Sequence, residues 1–398
     1  MPEVSPAPIA FLVALTVVGL VCCVLVAAGC VWWQHQRRTA WQRAASGARW
    51  LGITPPAQVS AGSAEALWRL LAAQLPTDTW FTRRPARLVW EVHAAGEQLR
   101  VGVWVPAGHS LVAVRRAIDR AWPGARLTEA RPPAAPRAVP EMRAVAGGWL
   151  GAIVPDGLPL LHPGLTDAAG SLRDRPARSE DPLRAVYGGL ASAGRTGPAL
   201  LQIVVGRAPF ARVGAARRCA ASRRHRRTLT DAALTGRAAA SVAVAAAAAL
   251  GLVLEILAPP RHRRREERQA WEPERVRAAR VKAHGGPHLL TTVRVLTSGP
   301  TPEAAHAAAA EILAGFGLLS ARLTRRPWPK HTTHAPARWV RLGERVLTTP
   351  AETAALAGLP ADPALHGLAA AGARRRASST GTWTPPRPPS GPPVGGRP

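Results

Sequence analysis

Lysine is almost missing from this chain. Of the 52 basic residues among 398, only Lys282 and Lys330 are lysines, so arginine carries nearly all of a net charge of +28. A phosphate-binding loop of the GxxxxGK[ST] kind needs a lysine directly before Ser or Thr. Lys282 precedes Ala283 and Lys330 precedes His331, which excludes both. Gly189 to Gly197 (GLASAGRTG) imitates the glycine spacing without the lysine and does not follow a predicted strand, so it reads as a loop. An ordinary nucleotide-hydrolysing site is therefore excluded.

Cysteine is equally scarce. Cys22, Cys23 and Cys30 lie in one apolar run, leaving Cys219 alone outside it. No disulfide framework and no thiolate zinc site can be assembled from that set, and the usage fits a reducing interior. Acidic residues number 24, and none are paired on a predicted helix face, so acid–base hydrolysis has no candidate. No Ser or Cys stands in a nucleophile elbow. His331 and His334 form an HxxH pair, with His284 and His288 upstream, but no carboxylate with ligand spacing stands beside them and they read as loop residues. The expectation is a non-enzymatic protein with no catalytic residue, no metal, no cofactor and no small-molecule substrate.

What is abundant is apolar sequence at the amino end. Ile9 to Trp33 holds about 25 residues without a charge, a helix of about 37 Å against a hydrocarbon core of about 30 Å. It reads as a membrane-spanning helix anchored by Ile9, Phe11, Leu12, Leu15, Val18, Leu20, Val24, Leu25, Val31, Trp32 and Trp33. Glu3 stands before it and Arg37, Arg38 and Arg43 after it. Basic residues stay on the cytoplasmic side, which predicts an inner-membrane protein with its amino terminus outside and its bulk in the cytoplasm. A cleaved signal peptide would need a basic start and a shorter apolar core. Ala28-Gly29-Cys30 lacks the leucine of a lipoprotein cleavage site.

Along the chain, residues 1–8 form a short outer terminus, 9–33 the span and 34–60 a basic juxtamembrane linker. A first α+β unit is expected over 61–130. Ser63 reads as a helix cap ahead of Leu67, Leu70, Leu71 and Leu75, and Pro76 stops that helix. Leu88, Trp90 and Val92 alternate on one strand, and Leu99, Val101, Val103 and Val105 on the next, with Ala95-Gly96 as the turn. Ser110 caps a second helix, and a short strand follows near Ala125. Residues 131–140 are a Pro-rich linker, and 141–210 a second part of the body, with a strand pair bent at Gly147-Gly148 and a buried strand over 200–205. Residues 211–283 are basic and Ala-rich, with a candidate second membrane segment at 238–257. Its basic flanks and alanine content favour a soluble or interfacial helix there. A last α+β unit is expected over 284–372, including a strand over Leu318–Leu323 and a capping box at Thr349-Pro350-Ala351-Glu352. Residues 373–398 read as a disordered Pro/Arg-rich tail. The fold class expected is α+β: a transmembrane helix, then ferredoxin-like-style sandwich units of strand-strand-helix-strand, then the tail.

The arginines suggest contacts to nucleic acid or anionic headgroups at Arg217, Arg218, Arg223, Arg224, Arg226, Arg227, Arg263, Arg264 and Arg265. GC-rich coding explains the same composition blandly. Trp68, Trp80, Trp90, Trp104, Trp122 and Trp149 are either stacking platforms or core, with core favoured for Trp90 and Trp122.

Several segments resemble one family when taken in order: Ser63–Leu75 (SAEALWRLLAAQL), Leu88–Val92 (LVWEV), Leu99–Pro106 (LRVGVWVP), Ala121–Leu127 (AWPGARL), Asp181–Val205, Leu289–Leu296 and Val346–Ala370. They look like the membrane-anchored amino-terminal region of conjugation or type IV secretion-type ATPases of high-GC bacteria. In that family a motor domain follows, and here the chain reaches Pro398 where it would begin. The resemblance implies a non-enzymatic scaffold or docking component of a transfer apparatus. Its partners would be the inner leaflet, a separate ATPase or other secretion subunits, and weakly bound nucleic acid. A membrane-tethered, non-specific nucleic-acid-binding protein is the competing expectation.

Overall fold

The computed structural model describes residues 7–78, 82, 85–138, 144–173, 181–221, 273–341, 344–369 and 371. Nine strands join in one sheet, ordered β4-β1-β3-β2-β6-β7-β5-β8, with β9 also paired to β7. Helix α1 (Ala7–Ser46) leads into β1 (Arg49–Thr54), α2 (Ala61–Gln74), β2 (Arg87–Ala95), β3 (Gln98–Val105), α3 (Leu111–Ala121) and β4 (Arg126–Ala130). Then come β5 (Ala144–Ala152), α4 (Arg184–Thr196), β6 (Ala199–Arg207), α5 (Phe210–Ala221) and α6 (Pro273–His284). There follow β7 (Leu289–Gly299), α7 (Pro302–Gly315), β8 (Leu323–Pro327), α8 (His331–Ala337), β9 (Val346–Thr348) and α9 (Pro350–Leu356).

The strand order repeats from each outer edge. β1-α2-β2-β3-α3-β4 is a split β-α-β unit of order β4-β1-β3-β2. β5-α4-β6-β7-α7-β8 is a second, of order β8-β5-β7-β6, with α5 and α6 inserted between β6 and β7. The two meet along β2 and β6, which pair antiparallel from Arg87↔Gly206 to Ala94↔Ala199.

Alternation decides which face each strand residue takes. Leu88, Trp90 and Val92 of β2, Val101 and Val103 of β3, Leu201 and Ile203 of β6, and Val293 and Val295 of β7 form one core with α2, α3, α4, α7 and α9. The intervening residues face the opposite layer, built from the end of α1, residues 328–345, α5 and α6. There Trp41, Trp50, Val89, Trp104, Val204, Trp339 and Val340 make a second apolar cluster.

Among the described residues no helix is long and apolar enough to cross a membrane. That overturns the spanning helix expected over Ile9–Trp33, and with it the inner-membrane location, the membrane and headgroup partners and the anchored scaffold role. The physical reason lies in the second half of α1. This helix is continuous over 40 residues, and the segment read as a juxtamembrane linker is built into the protein: Trp41 is wholly buried and its Nε1 donates to Ala337 O at 2.7 Å. Within the apolar run Val24, Leu25, Val31 and Trp32 are exposed and Trp33 is half-buried. The side chains of Ile9, Phe11, Leu12, Leu15, Val18 and Leu20 lie outside the described residues.

The fold class is corrected likewise. In place of a membrane helix followed by strand-strand-helix-strand units, a mixed α/β domain is built on one nine-stranded sheet whose strand pairs are all antiparallel. β1 had been assigned to the linker. β5 is one straight strand through Gly147-Gly148, not a bent pair. The strand expected at Leu318–Leu323 lies at Leu323–Pro327, because Phe316–Leu318 turns in a 3-10 helix that buries Phe316. α2 is capped by Ser60, whose Oγ accepts from Ser63 N, and not by Ser63. The capping box at Thr349 and Glu352 is present. Residues 223–227, 238–257, 263–265 and the tail at 373–398 lie outside the described residues.

Candidate functional site: a basic pocket on the second face of the sheet

Three strand centres break an otherwise apolar pattern. Glu91 in β2, Gln202 in β6 and Arg294 in β7 are in direct register, Glu91↔Gln202 and Gln202↔Arg294. All three are fully buried on the second face. A buried polar group must be hydrogen-bonded or it costs free energy, and here the register supplies partners. Gln202 Nε2 donates to Glu91 Oε1 at 2.8 Å, and Arg294 Nε donates to Gln202 Oε1 at 3.2 Å. Arg338, held in the left-handed region at φ +52° where α8 ends, donates to both oxygens of Glu91 at 2.8 and 3.2 Å. Burial alone would raise the Glu91 carboxyl, but Arg338 and His93 outweigh it and hold it at about 2.

A second knot lies beside this row. Asp78 accepts from Arg37 Nη2 at 3.0 Å, from Arg87 Nε at 2.7 Å and from Arg345 Nη1 at 2.7 Å. All four side chains are buried. Burial pushes the Asp78 carboxyl up, and the three guanidiniums more than reverse it, so it stays ionised. Burial among these cations also brings Arg345 down to about 9, with Arg87 beside it, and burial, aided by Arg87 and Arg338 against Glu344 and Glu91, brings Arg294 to about 9.

Above these residues opens a cavity of about 630 Å³. Arg37, Arg87 and Arg345 form buried parts of its lining, and Arg38, Lys330 and Arg341 stand exposed around it. Trp149, Trp328 and Trp339 supply its apolar walls. Arginines clamp these indoles: Arg294 lies 4.6 Å from the Trp328 ring, Arg87 5.6 Å from Trp339 and Arg326 5.7 Å from Trp149. Glu344 is the one carboxylate in the lining, and burial raises its pKa. Gly147 lets the far wall approach the sheet. A Cβ there would stand 2.6 Å from His331 Cβ and 3.1 Å from the Trp328 ring.

The layer carries an excess of cation. Arg37, Arg87, Arg294, Arg338 and Arg345 are buried in it, against Asp78, Glu91 and Glu344. Several donors are also left over. Arg345 Nε and Nη2, Arg294 Nη2, Trp328 Nε1 and His334 Nδ1 are buried without a hydrogen-bond partner among the described residues. His334 is held down to about 4, first by burial and then by Arg341 and Arg294.

Of the residues singled out in the sequence, Arg37 and Arg38 reach this pocket, though they were read as a cytoplasmic charge flank; Arg43 is exposed on α1 away from it. His331 and His334 sit on helix α8 and not in a loop. His284 and His288 lie apart from them, at the end of α6 and the start of β7. Among the described residues no group of His, Cys, Asp or Glu has a metal-holding arrangement. Arg217 is exposed and donates to Ala283 O at 3.1 Å, and the side chain of Arg218 is outside the described residues. Trp68, Trp90, Trp104 and Trp122 are buried, and Trp149 alone of that set meets the pocket. Sequence reasoning missed Asp78, Glu91, Gln202, Arg294 and Arg345. The available signal was a charged or amide side chain at the centre of an apolar strand, as in LVWEV, LLQIVV and TTVRVL.

No protein-family model matches the chain, and neither a curated protein nor a solved structure matches it.

Proposed function

We propose that this is a binding protein for an anionic, phosphate-bearing ligand, which it takes in the basic pocket, and that it binds the ligand without transforming it. One observation carries the reading: Arg37, Arg87 and Arg345 line the cavity while sharing one buried carboxylate, Asp78, and Arg345 keeps two buried donors, Nε and Nη2, without an acceptor among the described residues. Three buried guanidiniums on one carboxylate leave positive charge in excess, which is costly, and an anion in the cavity removes that cost. Guanidinium donors also suit the geometry of phosphate oxygens better than an ammonium does. Asp78 and Glu91 are occupied by arginines, so neither is free to act as a base.

Titrating the full chain with inorganic phosphate, pyrophosphate and sulfate tests this by calorimetry and thermal unfolding. A ligand that binds only the folded state stabilises it by RT ln(1 + [L]/Kd), so the midpoint should climb with concentration. Arg341→Gln and Lys330→Gln change exposed side chains and should fold normally while weakening binding about 2- to 5-fold each, the scale of an exposed charge contact. Equal midpoints with and without each anion, at matched ionic strength, would remove the proposal.

A further inference from the structure

The pocket is much larger than an inorganic phosphate needs, and its two ends differ in chemistry. Arg345, Arg37 and Arg87 gather at one end around Asp78. At the other end stand Trp149 on β5 and the segment Pro327-Trp328-Pro329 that follows β8. A volume of about 630 Å³ falls inside the range of about 300–1,000 Å³ that holds small organic ligands. We infer that the ligand is a nucleoside phosphate, its phosphate on the arginine end and its base against the tryptophan end. This rests on the anion-binding reading above and narrows it.

Three features point to a flat ring. Trp149 is held in place, because its Nε1 donates to Pro327 O at 3.1 Å, yet it is only half-buried on the pocket side of the molecule. A fixed, partly exposed indole is a ready stacking surface for any base. Trp328 is clamped against Arg294 and buries an indole N–H that no described residue accepts. Prolines 327 and 329 flank it and add rigid apolar surface with no donor of their own. A phosphate-bearing ligand without a ring would leave the indole wall unused.

The test compares three probes on the full chain by calorimetry: inorganic phosphate, ribose 5-phosphate and AMP. Base–aromatic stacking contributes about 1–3 kcal/mol, so AMP should bind about 10-fold or more tighter than ribose 5-phosphate. In Trp149→Ala that ratio should fall to about threefold or less. Equal affinity for AMP and ribose 5-phosphate in the unaltered protein would overturn the nucleoside reading while leaving the anion site standing. Failure of all three to bind would overturn both. A ratio that survives unchanged in a folded Trp149→Ala protein would also sink the stacking arrangement.

Discussion

At the scale of single residues, the charge balance of the second face determines what the pocket does and when it fails. His334 is buried neutral and held down to about 4, whereas an unfolded chain takes up the proton near the ordinary histidine value of about 6.5. A group with a depressed native pKa contributes stability that is present above the unfolded value. That stability is lost as pH falls toward the native one. The chain should therefore lose about 3 kcal/mol between pH 7 and pH 4 through this group alone. Urea unfolding at both pH values checks it, and His334→Gln should flatten the loss. Glu91 adds a separate, lower window, since its stabilisation is present above 4.5 and is lost toward about 2. Added sulfate should soften the His334 loss, because an anion in the pocket favours the imidazolium. An identical pH slope in His334→Gln would show that this imidazole is not the group responsible.

At the scale of elements, close approach matters more than propensity. α8 rests on β5 only because Gly147 carries no side chain. Gly147→Ala should cost about 1–3 kcal/mol, the usual penalty for overfilling a packed contact, and should weaken anion binding by displacing Trp328 and His334. Gly188 provides the contrast. It is an exposed position on the outer side of α4, where a Cβ would meet nothing within 4 Å, so Gly188→Ala should add about 0.5–1 kcal/mol and leave binding alone. Paired unfolding curves and anion titrations of both variants decide the matter. The same contrast explains what could be read from sequence. The β2–β3 hairpin and the cap at Ser110 were legible, because alternation and capping are local. β5 was not, because a Gly pair signals a bend unless one knows what packs on it. β1 was hidden because its apolar residues follow a longer apolar run that invited a membrane explanation. Asp78 was invisible for a different reason. Its three partners come from positions 37, 87 and 345, and no spacing rule links them.

At the scale of the whole molecule, the two split β-α-β units are fastened by backbone pairing and by one amide. β2 and β6 exchange ladder bonds along eight register pairs, and Gln202 links Glu91 of the first unit to Arg294 of the second. β2 and β6 are both buried along almost their full length, so separating them would strand apolar side chains, unpaired backbone and two buried charges at once. Such a seam should make unfolding a single cooperative event. Backbone circular dichroism and tryptophan fluorescence should give one coincident transition in urea. Gln202→Ala should lower its midpoint, by about 1–3 kcal/mol for the lost buried hydrogen bonds, without splitting it. Two resolved transitions in the unaltered chain would mean that the units are independent, and the polar row across their junction would then be a contact between domains and not the centre of one core.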